Sequence, residues 1–270
     1  MQSIERSIHL ADSFVSYCKY FSANQETSKN PVMFLHGTNS GGASFGKIIN
    51  TFNHERSVII PDYAGCGNST LPSGELTVEY LAEQVAAVIN DSSDKPVDLV
   101  GFSLGAVVAA VVAATHPQLV NRLVLTAPWA TNDDPYFRLV LSTWLKLENS
   151  DQALATAFGL SHVLSPEFIS SVGQDTLDQI CARPSEKETN RRIALGLSIN
   201  IKNYLTWINK ETLIIGLSHD TLIPPYLARE VHECVKNSQY AEVKSGHAVP
   251  MENPVAWTSI INDFLQKNKP

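Results

Sequence analysis

The chain has 270 residues, 44% hydrophobic and 17% charged. That suits one large domain, or a core with an insertion, burying roughly three quarters of its unfolded surface, and it excludes a disordered protein. A formal charge of -7 without a basic cluster argues against nucleic acid and anionic membranes as partners.

The opening MQSIERSIHLADSF lacks an apolar leader core, and no uncharged apolar run reaches the roughly 18 residues of a membrane span. Cys18, Cys66, Cys181 and Cys234 lie far apart and form no C-x-x-C pair. Reduced thiols in a cytoplasmic protein are the expectation. Short apolar runs then alternate with helix-length segments, the pattern of an α/β protein whose mostly parallel sheet is covered by helices on both faces. Strands are expected near 15–21, 32–36, 57–60, 97–101, 122–126, 212–216 and 239–243.

The second of these strands runs into VMFLHGTNSGG and the third into PDYAGCGNS. LTVEYLAEQVAAVIN follows as a helix, with Thr77 as N-cap and Glu79 in its first turn. The fourth strand leads directly into GFSLG and then an alanine- and valine-rich helix. About 85 residues separate the strand ending near Thr126 from the one starting near Thr212, where a crossover needs only about a dozen. Inside that interval Ser165-Pro166-Glu167 marks a helix start, and Ser185-x-x-Glu188 reads as a capping box. Its aromatics include Trp129, Tyr136, Phe137, Trp144, Phe158 and Phe168, most of them expected to pack the insertion's own small core. An inserted helical cap belongs over the carboxyl edge of the sheet, where ligands bind in open α/β folds. NPVAWTSIINDFLQK closes the chain as a helix with Asn253 as cap and Pro254 at its first position.

Alone, G-x-S-x-G marks nothing beyond a turn. Between a buried strand and a helix it has the setting of a nucleophile elbow, with Ser103 lifted above the sheet and Gly101 and Gly105 sparing a clash. A serine hydroxyl needs a base and an orienting acid. His247, after the last strand, is the candidate base, and Asp220, at the end of the strand TLIIG, the candidate acid. Asp62 and Asp98 sit on the wrong segments. The oxyanion donors expected are the N–H of Leu104, the residue after the nucleophile, and that of Thr38, after His36-Gly37. His9, His54, His116, His162, His219 and His232 read as surface or structural, with His162 and His219 the two best placed to touch substrate. GGASFGKI, residues 41–48, nearly matches a phosphate loop. It has Ile48 where a Mg²⁺-binding hydroxyl is needed, and its glycines start too far past the strand.

Through LHGTNSGG, PDYAGCGNS (Asp62, Gly65, Gly67, Ser69), GFSLG, GLSHD and SGHAVPMENP, the chain resembles the α/β-hydrolase superfamily, in its serine-nucleophile branch with a helical cap. The resemblance implies a core of residues 1–128 and 209–270, a cap of 129–208, and neither cofactor nor metal. PDYAGCGNS is expected to be a structural loop, and Cys66 a bystander. The activity implied is a serine hydrolase acting on a small-molecule ester. Other readings are a thioesterase on a CoA or acyl-carrier-protein thioester, a lyase, or a ligand sensor. The aromatics of the cap point to an apolar acyl or alcohol group.

Overall fold

The apolar runs become the middle of one eight-stranded sheet. The structure, a computed structural model, describes residues 2–24, 26–182, 185 and 187–267. Its strands are β1 (Ser3–His9), β2 (Phe14–Tyr20), β3 (Val32–Leu35), β4 (Val58–Asp62), β5 (Val97–Phe102), β6 (Val120–Thr126), β7 (Thr212–Leu217) and β8 (Ser238–Val243). They lie in the order β1-β2-β4-β3-β5-β6-β7-β8. β2 runs antiparallel to both β1 and β4, and every other pair is parallel.

Every residue of β3 and of β7 is buried, so side chains pointing to either face of the sheet are covered. The edges differ. β1 is exposed along nearly its whole length, and its Glu5 and Arg6 discourage further strand addition. This strand was not expected, because SIERSIH carries no alternating apolar face and is held only by its ladder to β2, from Ser3 opposite Tyr20 to His9 opposite Phe14.

Helix α1 (Ile49–Phe52) lies between β3 and β4, and α2 (Val78–Ser92) and α3 (Leu104–Thr115) flank β5. The long β6–β7 connection holds α4 (Pro135–Glu148), α5 (Gln152–Val163), α6 (Pro166–Val172), α7 (Gln174–Cys181), α8 (Thr189–Gly196) and α9 (Lys202–Trp207). After β7 come α10 (Pro225–Cys234), α11 (Val249–Glu252) and α12 (Pro254–Gln266). Small side chains let α3 lie close over β5 and β6, with its residues 104–113 all buried. The two ends of the long connection run together, Ile201 N–H donating to Ala130 O (2.8 Å) and Asn132 N–H to Ile199 O (3.2 Å).

Three predicted caps form. Thr77 Oγ1 accepts from Tyr80 N–H (3.1 Å), Ser165 Oγ from Phe168 N–H (3.3 Å) and Asn253 Oδ1 from Ala256 N–H (3.4 Å). The capping box does not. Ser185 Oγ donates instead to the buried Glu148 carboxylate (3.0 Å), and α8 departs from Glu188, which has a left-handed backbone and makes no side-chain cap. A desolvated carboxylate needs a donor more than a helix end open to water does. Among the described residues no cysteine forms a disulfide, and no helix is long and apolar enough to cross a membrane.

Candidate active site

Ser103 stands where β5 turns into α3, with φ 57° and ψ -124°. Such a conformation costs an L-residue about 1–3 kcal/mol and persists only where its surroundings impose it. Here Ser103 N–H donates to Thr126 O on β6 (2.9 Å), and Ser103 O accepts from Ala106 N–H (2.8 Å). The two elbow glycines are required sterically. A β-carbon on Gly101 would lie 2.3 Å from Gly105 O, and one on Gly105 would lie 2.2 Å from Leu35 O.

The three side chains singled out from the sequence converge. His247 Nε2 lies 2.9 Å from Ser103 Oγ, and His247 Nδ1 lies 2.6 Å from Asp220 Oδ2. All three are buried. A carboxylate only accepts, so Asp220 fixes the imidazole proton on Nδ1 and leaves the Nε2 lone pair facing the serine hydroxyl. The other Asp220 oxygen accepts from Leu222 N–H (2.9 Å) and Ile223 N–H (2.8 Å), which holds the carboxylate plane. Glu252 anchors the loop that carries His247. It accepts from Gly246 N–H (3.1 Å) and from both the N–H and the hydroxyl of Ser165 (2.8 Å each), tying that loop to the start of α6.

Leu104 opens α3, where the first N–H groups have no intrahelical acceptor. Thr38 lines the same cavity as Ser103. Its neighbour Gly37 is so close that a β-carbon there would sit 3.2 Å from Ser103 Cβ. Beside them His36 is fully buried, stacked on Tyr63 at 4.1 Å between ring centroids, and its Nδ1–H donates to Gly37 O (2.9 Å). Burial pushes its pKa down to about 3, from an ordinary value near 6.5.

A group neutral in the fold but basic when unfolded makes the unfolded state bind more protons. Stability is therefore expected to fall as pH drops from about 6.5 towards about 3, by up to about 1.4 kcal/mol per pH unit inside that window. Denaturant melts of the parent and of His36→Phe, which keeps the stacked ring and removes the titration, check this. The variant should show the shallower acid slope, and equal slopes would refute the assignment.

The two rejected aspartates have structural partners. Asp62 Oδ1 accepts from Gly42 N–H (2.6 Å), while Asp98, at the start of β5, meets Arg56 (2.5 Å) and Asn121 (2.6 Å). The loop PDYAGCGNS folds back on its own Asp62, and Gly67 (φ 51°) leaves room for that carboxylate. Cys66 is buried there and lines no wall of the cavity.

In front of Ser103 opens a cavity of about 330 Å³. Its wall combines the 37–40 turn, Ala43, Ser44 and Lys47 with Trp144 and Val163 from the long connection and Leu222, Pro250 and Met251 beyond β7. Neither His162 nor His219 lines the cavity. His162 Nδ1 is engaged by Phe158 O (2.9 Å), and His219 N–H donates to Ser245 O (2.9 Å). Of the eight aromatics in the connection only Trp144 reaches the cavity, whereas Trp129 and Phe137 pack on each other at 5.3 Å between centroids. Lys47 and Glu252 were missed. SGHAVPMENP contains Glu252, so its motif offered a signal, but nothing in GGASFGKI announces a cavity wall. Among the described residues no cluster of three or more His, Cys, Asp or Glu side chains could hold a metal ion.

A family model described as the alpha/beta hydrolase fold matches residues 30–159. Pyrrolizixenacetamide deacetylase of Xenorhabdus hominickii is 32% identical over 266 residues, covering 96% of this chain and 97% of that protein. The chain belongs to the α/β-hydrolase family. This hydrolase is also similar to pimeloyl-(acyl-carrier protein) methyl ester esterase of Neisseria meningitidis serogroup A, 25% identical over 245 residues, or 87% of this chain and 76% of that one. Among solved structures it matches MGS-M2, an α/β-hydrolase enzyme from a Medee basin deep-sea metagenome library. The TM-score is 0.87 at 19% identity, with 98% of each chain covered, which establishes the shared fold.

Proposed function

We propose that this hydrolase cleaves a carboxylic ester or a related acyl bond through an acyl-enzyme on Ser103. The observation that carries the reading is the relay from Ser103 through His247 to Asp220, at 2.9 and 2.6 Å, opening onto a cavity. His247 Nε2 takes the hydroxyl proton as Ser103 Oγ attacks the carbonyl carbon, and the carbonyl oxygen becomes an oxyanion within reach of the Leu104 and Thr38 N–H groups. When the bond to the leaving group breaks, His247 hands its proton to that group. Water then attacks the acyl-enzyme with His247 again as base, the acid departs, and Ser103 recovers its proton. Asp220 stays ionised and stabilises the imidazolium.

Residues 129–208 act in this reading as a cap. Trp144 and Val163 bring apolar surface to the reacting bond, which favours an apolar acyl or alcohol group. The names of the deacetylase and the methyl ester esterase describe acyl cleavage and agree with this chemistry. The second name supports one further reading, an acyl group presented on a carrier protein.

A fluorophosphonate probe tests the assignment. It is expected to label the protein stoichiometrically, with the added mass on the peptide containing Ser103. A label on another residue, or undiminished labelling of Ser103→Ala, would remove the proposal.

A further inference from the structure

Arg192 lies on α8, in the connection between β6 and β7, and its side chain has no exposed surface. A guanidinium stays charged at any pH the fold survives, and burying one without a counter-charge is costly. Yet the acceptors it has found are all neutral. Nε donates to Thr38 O (2.6 Å), one terminal nitrogen to Ala64 O (3.2 Å) and the other to Thr189 Oγ1 (3.1 Å). Thr189 Oγ1 in turn donates to Asn39 Oδ1 (3.0 Å), so α8 grips the same turn twice.

That turn is the one packed on Ser103. Its successive carbonyls are each taken by a buried side chain: His36 O by the Tyr63 hydroxyl, Gly37 O by His36 Nδ1, and Thr38 O by Arg192. In a planar trans peptide the N–H points opposite to the C=O, so the tie on Gly37 O aims the Thr38 N–H itself, and the tie on Thr38 O fixes the next peptide plane and so holds Thr38 from its other side. The first two ties come from the sheet side of the molecule. The third comes from the inserted helices and is the only one that carries a full charge among the three. A charge spent on backbone carbonyls makes sense where orientation of the turn matters.

We propose that Arg192 is a positioning residue for oxyanion stabilisation: α8 reaches through it to the Thr38 carbonyl and holds the far side of the 36–38 turn, so the Thr38 donor, aimed by the tie on Gly37 O, is clamped on both sides when α8 is docked. This rests on the acyl-enzyme reading and on Thr38 as a donor within it. The interaction acts when charge develops on the carbonyl oxygen, so it lowers the barrier without tightening the ground state.

Arg192→Met and Arg192→Lys test it, assayed with an activated ester and with an alkyl boronic acid, which adds to a serine hydroxyl and offers a tetrahedral oxygen to the donors. The Met variant is expected to lose kcat about 10- to 100-fold, short of the roughly 100- to 1000-fold of losing a donor outright, with little change in KM. Boronate affinity should fall by the same factor. Lysine, which keeps the charge without the fork, should recover part of both. A purely structural role would lower Tm and leave kcat and the boronate-to-substrate ratio of the folded enzyme alone. That result, a rise in KM alone, or a kcat loss without matching boronate loss overturns the proposal. Should the Met variant fail to fold, Thr189→Val removes one guanidinium acceptor and the tie to Asn39, and the same paired losses are expected at smaller size, their absence counting against the proposal. Ser103→Ala assayed alongside separates the two claims. Turnover surviving there removes the acyl-enzyme, whereas Ser103-dependent turnover indifferent to Arg192 removes only the positioning role.

Discussion

Ser103→Ala is expected to lower kcat on an activated ester by about a million-fold while leaving Tm close to that of the parent. The substitution deletes only Oγ, the atom 2.9 Å from His247 Nε2. Alanine carries the same β-carbon as serine, so it inherits the same backbone strain at φ 57° and the same fit between β5 and α3. His247→Ala should cost about as much, and the double variant hardly more, because hydroxyl and imidazole act as one unit and neither is useful alone. Single-turnover kinetics on purified variants check the series. Additive losses, or an alanine variant within about a hundredfold of the parent, would mean that another group does the attacking.

Asp220→Asn is expected to lower kcat by about ten-thousand-fold with KM little changed. The reason lies in which way the amide must face. Asp220 Oδ1 accepts two backbone N–H groups, from Leu222 and Ile223, so the single oxygen of asparagine is drawn to that side. The amide nitrogen then meets His247 Nδ1, where Asp220 Oδ2 accepted a proton at 2.6 Å. Donor faces donor unless the imidazole changes tautomer, and the changed tautomer carries its proton on Nε2, towards Ser103. No lone pair remains there to take the hydroxyl proton. A pH–rate profile adds a second readout, because a relay without its acid should recover some rate as hydroxide replaces the lost base. A loss below about tenfold would show that Asp220 does not set the tautomer.

What the sequence disclosed follows from chain geometry. Ser103 and Asp220 each sit just past an apolar run, and His247 just past the more polar last strand, so the common edge of a parallel sheet could be read for all three without coordinates. Thr77, Ser165 and Asn253 were legible as caps because a cap is a local bargain between one side chain and the next turn. Features that depend on distant partners stayed hidden. β1 is held by a ladder, not by its side chains, so SIERSIH looked like loop. Ser185 had its hydroxyl claimed by Glu148, and no local pattern reports that. Arg192 on a short polar helix resembles any solvated arginine, and only the packed turn around Thr38 explains its complete burial. Lys47 reached the cavity wall because the 41–48 segment folds over Ser103, a placement set by tertiary packing.

The wide spacing of the relay along the chain has a temporal corollary. Ser103 and His247 are 144 residues apart, and the histidine follows β8, the last strand in the chain and an edge of the sheet. A nascent chain that has emerged only as far as α3 carries Ser103 without His247, so under the proposed mechanism its hydroxyl lacks a base. Under that mechanism latency of this kind would come from topology itself, since the base that arms Ser103 lies beyond the last strand to be made.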